Sequence, residues 1–164
     1  MRQPLISVIV PAYNLEDCLG RALDSILKQG IKDMEVIVVD DLSSDGTWEL
    51  IKKYQKSDKR IVPIHMNQRS KPSGARNAAL EVATGKYIHF CDGDDAIPAK
   101  SYKIMLEIAE KENVDIVTGN YMRMYPNERN AVRPFSQYTS NTAIERCFEK
   151  SNTTLWNKLY RRSF

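Results

Sequence analysis

Three carboxylates, Asp92, Asp94 and Asp95, follow a short apolar run at residues 87–91, with Gly93 between the first two. Clustered carboxylates repel one another, so their assembly usually needs a compensating cation. Mg²⁺ and Mn²⁺ prefer oxygen ligands, and Mg²⁺ often links one or two carboxylates to substrate phosphates. Gly93 allows a tight turn that would direct Asp92 and Asp94 to one point. The pattern indicates a divalent-metal site, and its alternative is a solvated turn at a strand end.

The elements that must position these carboxylates alternate between strands and helices. Apolar runs predict strands at residues 5–10, 35–39, 61–65, 87–91 and 114–117, and helical spacing predicts helices at 19–27, 48–54, 73–83 and 102–111. Such alternation predicts an α/β fold with a mostly parallel sheet and helices on both faces. Ligands of such sheets bind beyond the carboxyl ends of the strands.

Two other strand ends also carry unusual residues. Pro11, Ala12, Tyr13 and Asn14 follow the first strand, and Asp40 and Asp41 follow the second. Because the carboxyl ends of parallel strands share one edge of the sheet, these groups and the three carboxylates are expected to lie together.

Several local expectations accompany this pattern. Pro11 is expected to stop the first strand, Asn14 to cap the helix that follows it, and Pro63 to place the third strand near an edge. In the helix at 102–111, the side chains of Ile104, Met105 and Ile108 are expected to face the core. Residues 123–133 read as a loop, 142–150 as a helix, and 156–160 as a strand or the start of a helix.

Composition favours one soluble domain. The chain has 164 residues, 42% of them hydrophobic and 27% charged, and its net charge of +3 is too small to argue for nucleic acid. No apolar stretch approaches the roughly 20 residues of a membrane helix, and no signal peptide is recognised. Cys18, Cys91 and Cys147 lack metal or disulfide spacing and read as buried apolar residues. His65 and His89 read as single, unpaired histidines.

Four segments together resemble the family 2 glycosyltransferases, which have the GT-A fold. They are residues 7–14 (SVIVPAYN), 39–47 (VDDLSSDGT), 74–80 (GARNAAL) and 85–95 (GKYIHFCDGDD), in the order and spacing of that family. Residues 156–160 (WNKLY) resemble, more weakly, a segment of bacterial members that build capsular or lipopolysaccharide sugars. The resemblance implies one glycosyltransferase domain over residues 1–164. Residues 1–98 would be its donor-binding half and 99–164 the start of its acceptor side.

The resemblance also implies an activity and a set of site residues. Such enzymes transfer a sugar from a nucleotide-sugar, often a UDP-sugar, to an acceptor hydroxyl with inversion at the anomeric carbon. Tyr13 would pack on the base, and Asp40 or Asp41 would accept a hydrogen bond from the uracil N–H. The residues expected to bind the donor are Pro11, Ala12, Tyr13, Asn14, Asp40, Asp41, Arg76, Asp92, Gly93 and Asp95.

The same resemblance assigns the divalent metal to Asp94, with Asp92 beside it or near the donor ribose. The metal, Mg²⁺ or Mn²⁺, would bridge the two phosphates of the donor. Arg76 would reach those phosphates or pair with one of the aspartates. An inverting transfer also needs a general base. We name none: either it lies beyond Phe164, in a longer enzyme of which this chain is a part, or it comes from elsewhere.

The expected partners are the nucleotide-sugar and a saccharide or lipid-linked saccharide acceptor, with no nucleic acid. Lys158, Arg161 and Arg162 form a basic cluster that would face anionic lipid or a lipid diphosphate, or else a solvated tail. The expected location is the cytoplasm, with peripheral contact at the inner face of the membrane.

Other classes fit less well. The loop after the first strand is not the G-x-G-x-x-G of a Rossmann dehydrogenase, and neither a P-loop nor the Gly-rich, Arg-containing loop of a nucleotidyltransferase is found. The alternative that stays open is a non-catalytic module that binds a nucleotide-sugar, or an inactive donor-binding fragment.

Overall fold

The structure, a computed structural model, describes residues 3–123, 131–133 and 154–163. Its strands are β1 (Ile6–Ala12), β2 (Met34–Asp40), β3 (Ile61–His65), β4 (Tyr87–Phe90), β5 (Ile116–Thr118), β6 (Tyr121–Arg123), β7 (Ala131–Arg133) and β8 (Lys158–Arg161). Its helices are α1 (Leu19–Leu27), α2 (Thr47–Ser57), α3 (Lys71–Val82) and α4 (Ser101–Lys111). No described helix is long and apolar enough to cross a membrane.

Six strands form one sheet in the order β3-β2-β1-β4-β8-β5. β1 pairs in parallel with β2 and with β4, and β2 pairs in parallel with β3. β8 pairs antiparallel with both β4 and β5. The prediction of an α/β fold with a mostly parallel sheet is confirmed. β3 lies at an edge, as Pro63 predicts.

Apolar side chains on both faces of the sheet explain why its strands lack polar alternation. Val8 and Val10 belong to a core on the face covered by α1, α2 and α4. Ile9 and Ile37 belong to a second core on the opposite face, which α3 covers with its alanines. Burying each of these side chains contributes about 1.5–3 kcal/mol. The helices therefore lie on both faces, as the sequence predicts.

β1 continues through Pro11 to Ala12, so the prediction that Pro11 stops the strand is wrong. The backbone of Ile9 faces β4, because its carbonyl accepts a hydrogen bond from the Cys91 N–H. Pro11, two residues on, faces the same side, where the pairing of β1 with β4 has ended at Ile9. Pro11 lacks an N–H, and at this position the ladder needs none.

The core face of α4 also differs from the prediction. Ile104 and Ile108 are 53% and 43% exposed. The buried residues of α4 are Tyr102, Met105, Leu106 and Ala109. The helix carries two apolar stripes, and the periodicity alone does not show which one the sheet covers.

The last part of the chain is only partly described. β6 and β7 pair antiparallel at the two ends of the segment predicted as a loop, so that prediction is wrong at its ends. Residues 156–160 include most of β8, which decides between strand and helix. The predicted helix at 142–150 lies outside the described residues.

Candidate functional site

The carboxyl ends of β1, β2 and β4 meet at one edge of the sheet, because β1 lies between β2 and β4. They bring together residues 11–14, 40–41 and 92–95. Chain order also reverses direction between β1 and β4, which is where open α/β sheets form their ligand crevice. Pro11 and Ala12 are buried in β1 itself.

Asn14 joins the loops that follow β1 and β2. Its backbone N–H donates to Ser43 Oγ at 3.0 Å, and its Oδ1 accepts from the Ser44 N–H at 2.9 Å. Asn14 has a φ of 52°, in the left-handed region that Asn tolerates better than most residues. It does not cap α1, which begins at Leu19 after Cys18 and has no side-chain cap. The prediction of a cap is therefore wrong, and the role of Asn14 is to fix two site loops together.

Asp40 is fully buried at the end of β2. Its Oδ2 lies 2.8 Å from His65 Nδ1 and accepts from the Ser43 N–H at 3.3 Å. Its Oδ1 is buried and has no hydrogen-bond partner among the described residues. An unpaired buried acceptor is costly and suits an N–H donor supplied by a ligand.

His65 is the partner that orients Asp40. Besides the contact with Asp40, its ring lies 4.6 Å from the Trp48 ring, centre to centre. The expectation that His65 is unpaired is therefore wrong. Its place at the end of β3, next to the end of β2, explains the pairing.

Asp41 is buried, and its contacts hold the loop before α3. Its Oδ1 accepts from the Ser70 N–H at 2.7 Å and from Ser70 Oγ at 2.9 Å. Its Oδ2 lies 3.8 Å from Arg69 Nε. Because Asp41 is occupied and Asp40 retains an unpaired oxygen, the geometry favours Asp40 as the acceptor for a base.

Arg69 is a site residue that the sequence analysis missed. Its guanidinium carbon lies 3.2 Å from the centre of the Tyr13 ring, which is a cation–π contact. Tyr13 is half-buried, so part of its side chain stays open to a ligand. Arg69 could have been found from its position: it is a basic residue in the loop after β3, and β3 ends beside β2 at the same edge of the sheet.

Arg76 of α3 reaches Asp92 after β4. Its Nη2 lies 2.5 Å from Asp92 Oδ1, and both side chains are mostly buried. The Nε of Arg76 is buried, and no described residue accepts a hydrogen bond from it. Arg76 therefore pairs with an aspartate and also keeps one unfilled donor, which suits a phosphate oxygen.

Gly93 packs where a side chain has no room. A Cβ at this position would lie 2.7 Å from Leu15 Cδ1 and 3.1 Å from the Pro11 carbonyl oxygen. The absence of a side chain therefore lets the turn of residues 92–95 close against the end of β1.

Asp94 and Asp95 are exposed. Burial of its carboxyl group raises the pKa of Asp95, and the charges of Asp94 and Asp92 raise it further. In the part of the chain that the structure describes, the Asp94 carboxylate makes no hydrogen bond or ion pair. The same holds for the Asp95 carboxylate, so neither has a fixed partner among the described residues.

The described residues do not include a group of three or more His, Cys, Asp or Glu arranged to hold a metal ion. Mg²⁺ commonly uses one or two carboxylates and takes its other ligands from water and substrate phosphates. A free Asp94 and the mutual repulsion in the turn therefore fit a metal that the substrate helps to bind.

The basic residues near the end of the chain do not form one exposed cluster. Lys158 is buried, and its Nζ donates to the Thr154 carbonyl and to Asn157 Oδ1. Arg161 Nε lies 2.9 Å from Asp115 Oδ1. The three-residue patch inferred from sequence is wrong, because Lys158 points inward from the strand.

The cysteines and His89 have structural roles. Cys91 is buried, as predicted, whereas Cys18 is only partly buried and Cys147 lies outside the described residues. His89 is buried, and its Nδ1 lies 3.2 Å from Tyr102 Oη, so it is not unpaired. Burial lowers the pKa of His89 to about 4, which keeps its ring neutral.

Comparisons with known proteins agree with this fold. The family model described as "Glycosyl transferase family 2" matches residues 7–164. EpsJ of Bacillus subtilis (strain 168), an uncharacterised glycosyltransferase, is 37% identical over 131 residues, which cover 80% of this chain and 38% of EpsJ. WfaP of Escherichia coli, a UDP-Glc:alpha-D-GlcNAc-diphosphoundecaprenol beta-1,3-glucosyltransferase, is 38% identical over 117 residues, covering 71% of this chain and 46% of WfaP.

Solved structures include similar folds. The crystal structure of S. aureus TarS 1-349 in complex with UDP-GlcNAc matches with a TM-score of 0.77 at 28% identity, over 96% of this chain and 45% of that chain. This chain therefore spans less than half the length of these similar proteins.

Proposed function

Because this chain belongs to glycosyltransferase family 2, we propose that it forms the donor-binding part of an enzyme that transfers a sugar from a UDP-sugar to an acceptor hydroxyl. The observation on which this proposal rests is the unpaired, buried Oδ1 of Asp40 at the edge where β1, β2 and β4 end. Open α/β sheets commonly bind nucleotides at such an edge.

The base is recognised at the ends of β1 and β2. Asp40 Oδ1 accepts the N–H of uracil, and His65 holds the same carboxylate in place through Oδ2. Tyr13 supplies an aromatic surface for the base, and such stacking is worth about 1–3 kcal/mol. A cytosine ring presents an acceptor where uracil presents that N–H, so it would leave Asp40 unpaired.

The diphosphate lies toward the turn after β4. Asp94 holds the divalent metal, and Arg76 fixes Asp92 beside it while its free Nε donates to a phosphate oxygen. When bound, Mg²⁺ or Mn²⁺ would offset the charge that develops on the nucleotide leaving group. Asp95 adds to the negative charge that favours a cation in this turn.

The proposed reaction also needs an acceptor and a catalytic base. The name of WfaP states a diphosphoundecaprenol-linked acceptor, which supports a saccharide or lipid-linked saccharide acceptor for this chain. We propose an inverting transfer in bacterial surface polysaccharide synthesis, at the cytoplasmic face of the membrane. The base would be a carboxylate outside the described residues.

The deciding experiment is calorimetric titration of UDP into the chain with Mn²⁺ and then with excess chelator. We expect binding with Mn²⁺, loss of binding with chelator, and at least about tenfold weaker binding of CDP. Equal affinity for UDP and CDP would refute the role of Asp40. Hydrolysis of a UDP-sugar donor by the chain would separate an enzyme from a module that only binds nucleotide-sugars.

A further inference from the structure

Three polar residues at four-residue intervals along α1 and the turn after it contact the chain around the turn of residues 92–95, which we call the acidic turn, and the segment that leads from it to α4. They are Arg21, Ser25 and Gln29, which we call the polar stripe of α1. Residues four apart lie on one face of a helix. Each residue of the stripe contacts the backbone of residues 94–102, which we call the connecting segment. It begins within the acidic turn and ends in the first turn of α4.

Gln29 makes most of these contacts. Its Nε2 donates to the carbonyl of Ile97 at 3.3 Å, of Pro98 at 2.9 Å and of Ser25 at 3.0 Å. Its Oε1 accepts from the Tyr102 N–H at 3.3 Å, in the first turn of α4. The side chain of Gln29 thus spans α1, the connecting segment and the start of α4.

Gln29 is only 6% exposed, so water cannot replace these partners easily. A buried amide that loses its partners costs the desolvation free energy of the group. The connecting segment therefore cannot shift away from α1 without leaving several buried polar groups unpaired.

Ser25 and Arg21 make further hydrogen bonds to this segment, closer to the acidic turn. Ser25 Oγ accepts from the Ile97 N–H at 2.9 Å and donates to the Ala22 carbonyl at 2.7 Å. Arg21 Nη2 donates to the backbone carbonyl of Asp94 at 2.8 Å. The backbone of the residue assigned to the metal is thus held directly by α1.

We propose that the polar stripe of α1 positions Asp94 for the metal and the donor diphosphate. The inference rests on the proposed function of that site. In this role Arg21, Ser25 and Gln29 act through the backbone of residues 94–102. A free carboxylate on an exposed turn has a defined direction only if its backbone is fixed, and α1 supplies that fixation.

The test compares Gln29→Met and Ser25→Ala with the wild-type chain. Methionine keeps the length and bulk of glutamine but makes none of its hydrogen bonds. The matched control is Tyr54→Phe, which removes hydrogen bonds from Tyr54 Oη to the Gly20 carbonyl and to Asp24 Oδ1. This control loosens α1 without touching residues 94–102.

Two quantities are measured on each variant. The first is hydrogen exchange of the Ile97 and Tyr102 amides without ligand, and the second is Mn²⁺-dependent UDP affinity by calorimetry. We expect Ser25→Ala to speed exchange at Ile97 and Gln29→Met to speed it at Tyr102. Loss of groups that orient metal ligands commonly weakens metal affinity by about 10–100-fold, and we expect a loss in that range for Gln29→Met. Tyr54→Phe should leave both quantities near the wild-type values.

The outcomes separate the two proposals. If the wild-type chain fails to bind UDP with Mn²⁺, the proposed function fails, and this role fails with it. If the wild-type chain binds and Gln29→Met binds equally well, only the positioning role is overturned. The same holds if Tyr54→Phe weakens Mn²⁺-dependent binding as much as Gln29→Met does, since a general loss of stability would then explain both.

Discussion

Arg76 Nη2 lies 2.5 Å from Asp92 Oδ1, so that α3 and the turn after β4 are joined by one mostly buried ion pair. Hydrogen bonds to charged groups contribute about 1.5–3 kcal/mol. We expect a double-mutant cycle of Arg76→Met and Asp92→Asn to give a coupling free energy in this range by chemical denaturation.

The matched comparison for that pair is Lys86 with Glu110. Lys86 Nζ lies 2.6 Å from Glu110 Oε1, but both side chains are about half exposed. Exposed pairs usually contribute about 0–1 kcal/mol. A cycle of Lys86→Met and Glu110→Gln should therefore give a smaller coupling. Equal values in the two cycles would contradict the importance of burial at Arg76.

Asp94→Asn is expected to remove the Mn²⁺-dependent part of UDP affinity. The carboxylate makes no hydrogen bond or ion pair with other described residues, so its loss should change the free energy of unfolding by less than about 0.5 kcal/mol. Calorimetry with and without Mn²⁺, and thermal unfolding, measure these two effects. Glu81→Gln, an exposed change on α3, is the control and should keep full binding. Unchanged Mn²⁺ dependence in Asp94→Asn would refute the metal assignment.

Tyr13→Ala is expected to weaken UDP binding by about 1–3 kcal/mol, the usual worth of a base–aromatic stack. Tyr13→Phe keeps the ring and should bind UDP close to wild type. Both variants keep Asp40, so the difference between them isolates the aromatic surface. The role of Tyr13 would be refuted if alanine and phenylalanine bound UDP equally well.

His89 should make the stability of the chain depend on pH between about 6.5 and 4. Burial lowers the pKa of the folded His89 to about 4, whereas an unfolded histidine has a pKa near 6.5. As pH falls through this window the unfolded state binds a proton that the folded state does not. The free energy of unfolding therefore falls, by about 3 kcal/mol for a shift of this size.

The measurement for His89 is chemical denaturation of the wild type and His89→Gln from pH 8 to 4. The free energy of unfolding of the wild type, minus that of His89→Gln, should decrease as pH falls below about 6.5 and stay constant above pH 7. The carboxylates contribute equally to both proteins and cancel in this difference. A difference independent of pH would show that His89 does not stay neutral in the folded chain.

The order of strands and helices could be predicted because it depends on local pattern. Runs of β-branched residues without polar alternation mark strands that are covered on both faces, and β1 and β2 have such runs. The convergence of Tyr13, Asp40 and Asp94 then follows from the common edge of parallel strands. The choice of apolar stripe on α4 could not be predicted, since Ile104 and Ile108 have the same spacing as buried positions.

Contacts between distant segments account for the site residues that the sequence analysis missed or misjudged. Asn14 has the residue type of a helix cap, but its nearest polar groups belong to Ser43 and Ser44 on another loop. Arg69 reaches Tyr13, and Arg21 reaches the Asp94 carbonyl, across separations that no local spacing encodes. The residue types were informative, but the partners depend on how the loops meet.

The place of β8 has a consequence for how the chain is made. β8 is the last described strand, but it lies inside the sheet between β4 and β5. During synthesis one edge of β4 stays unpaired until residues 158–161 have been made. Among the described strands, β5 has no neighbour other than β8. Such pairing of distant segments is slow, and unpaired strand edges recruit other chains. The risk of aggregation on the ribosome is therefore concentrated between the emergence of β5 and the arrival of β8.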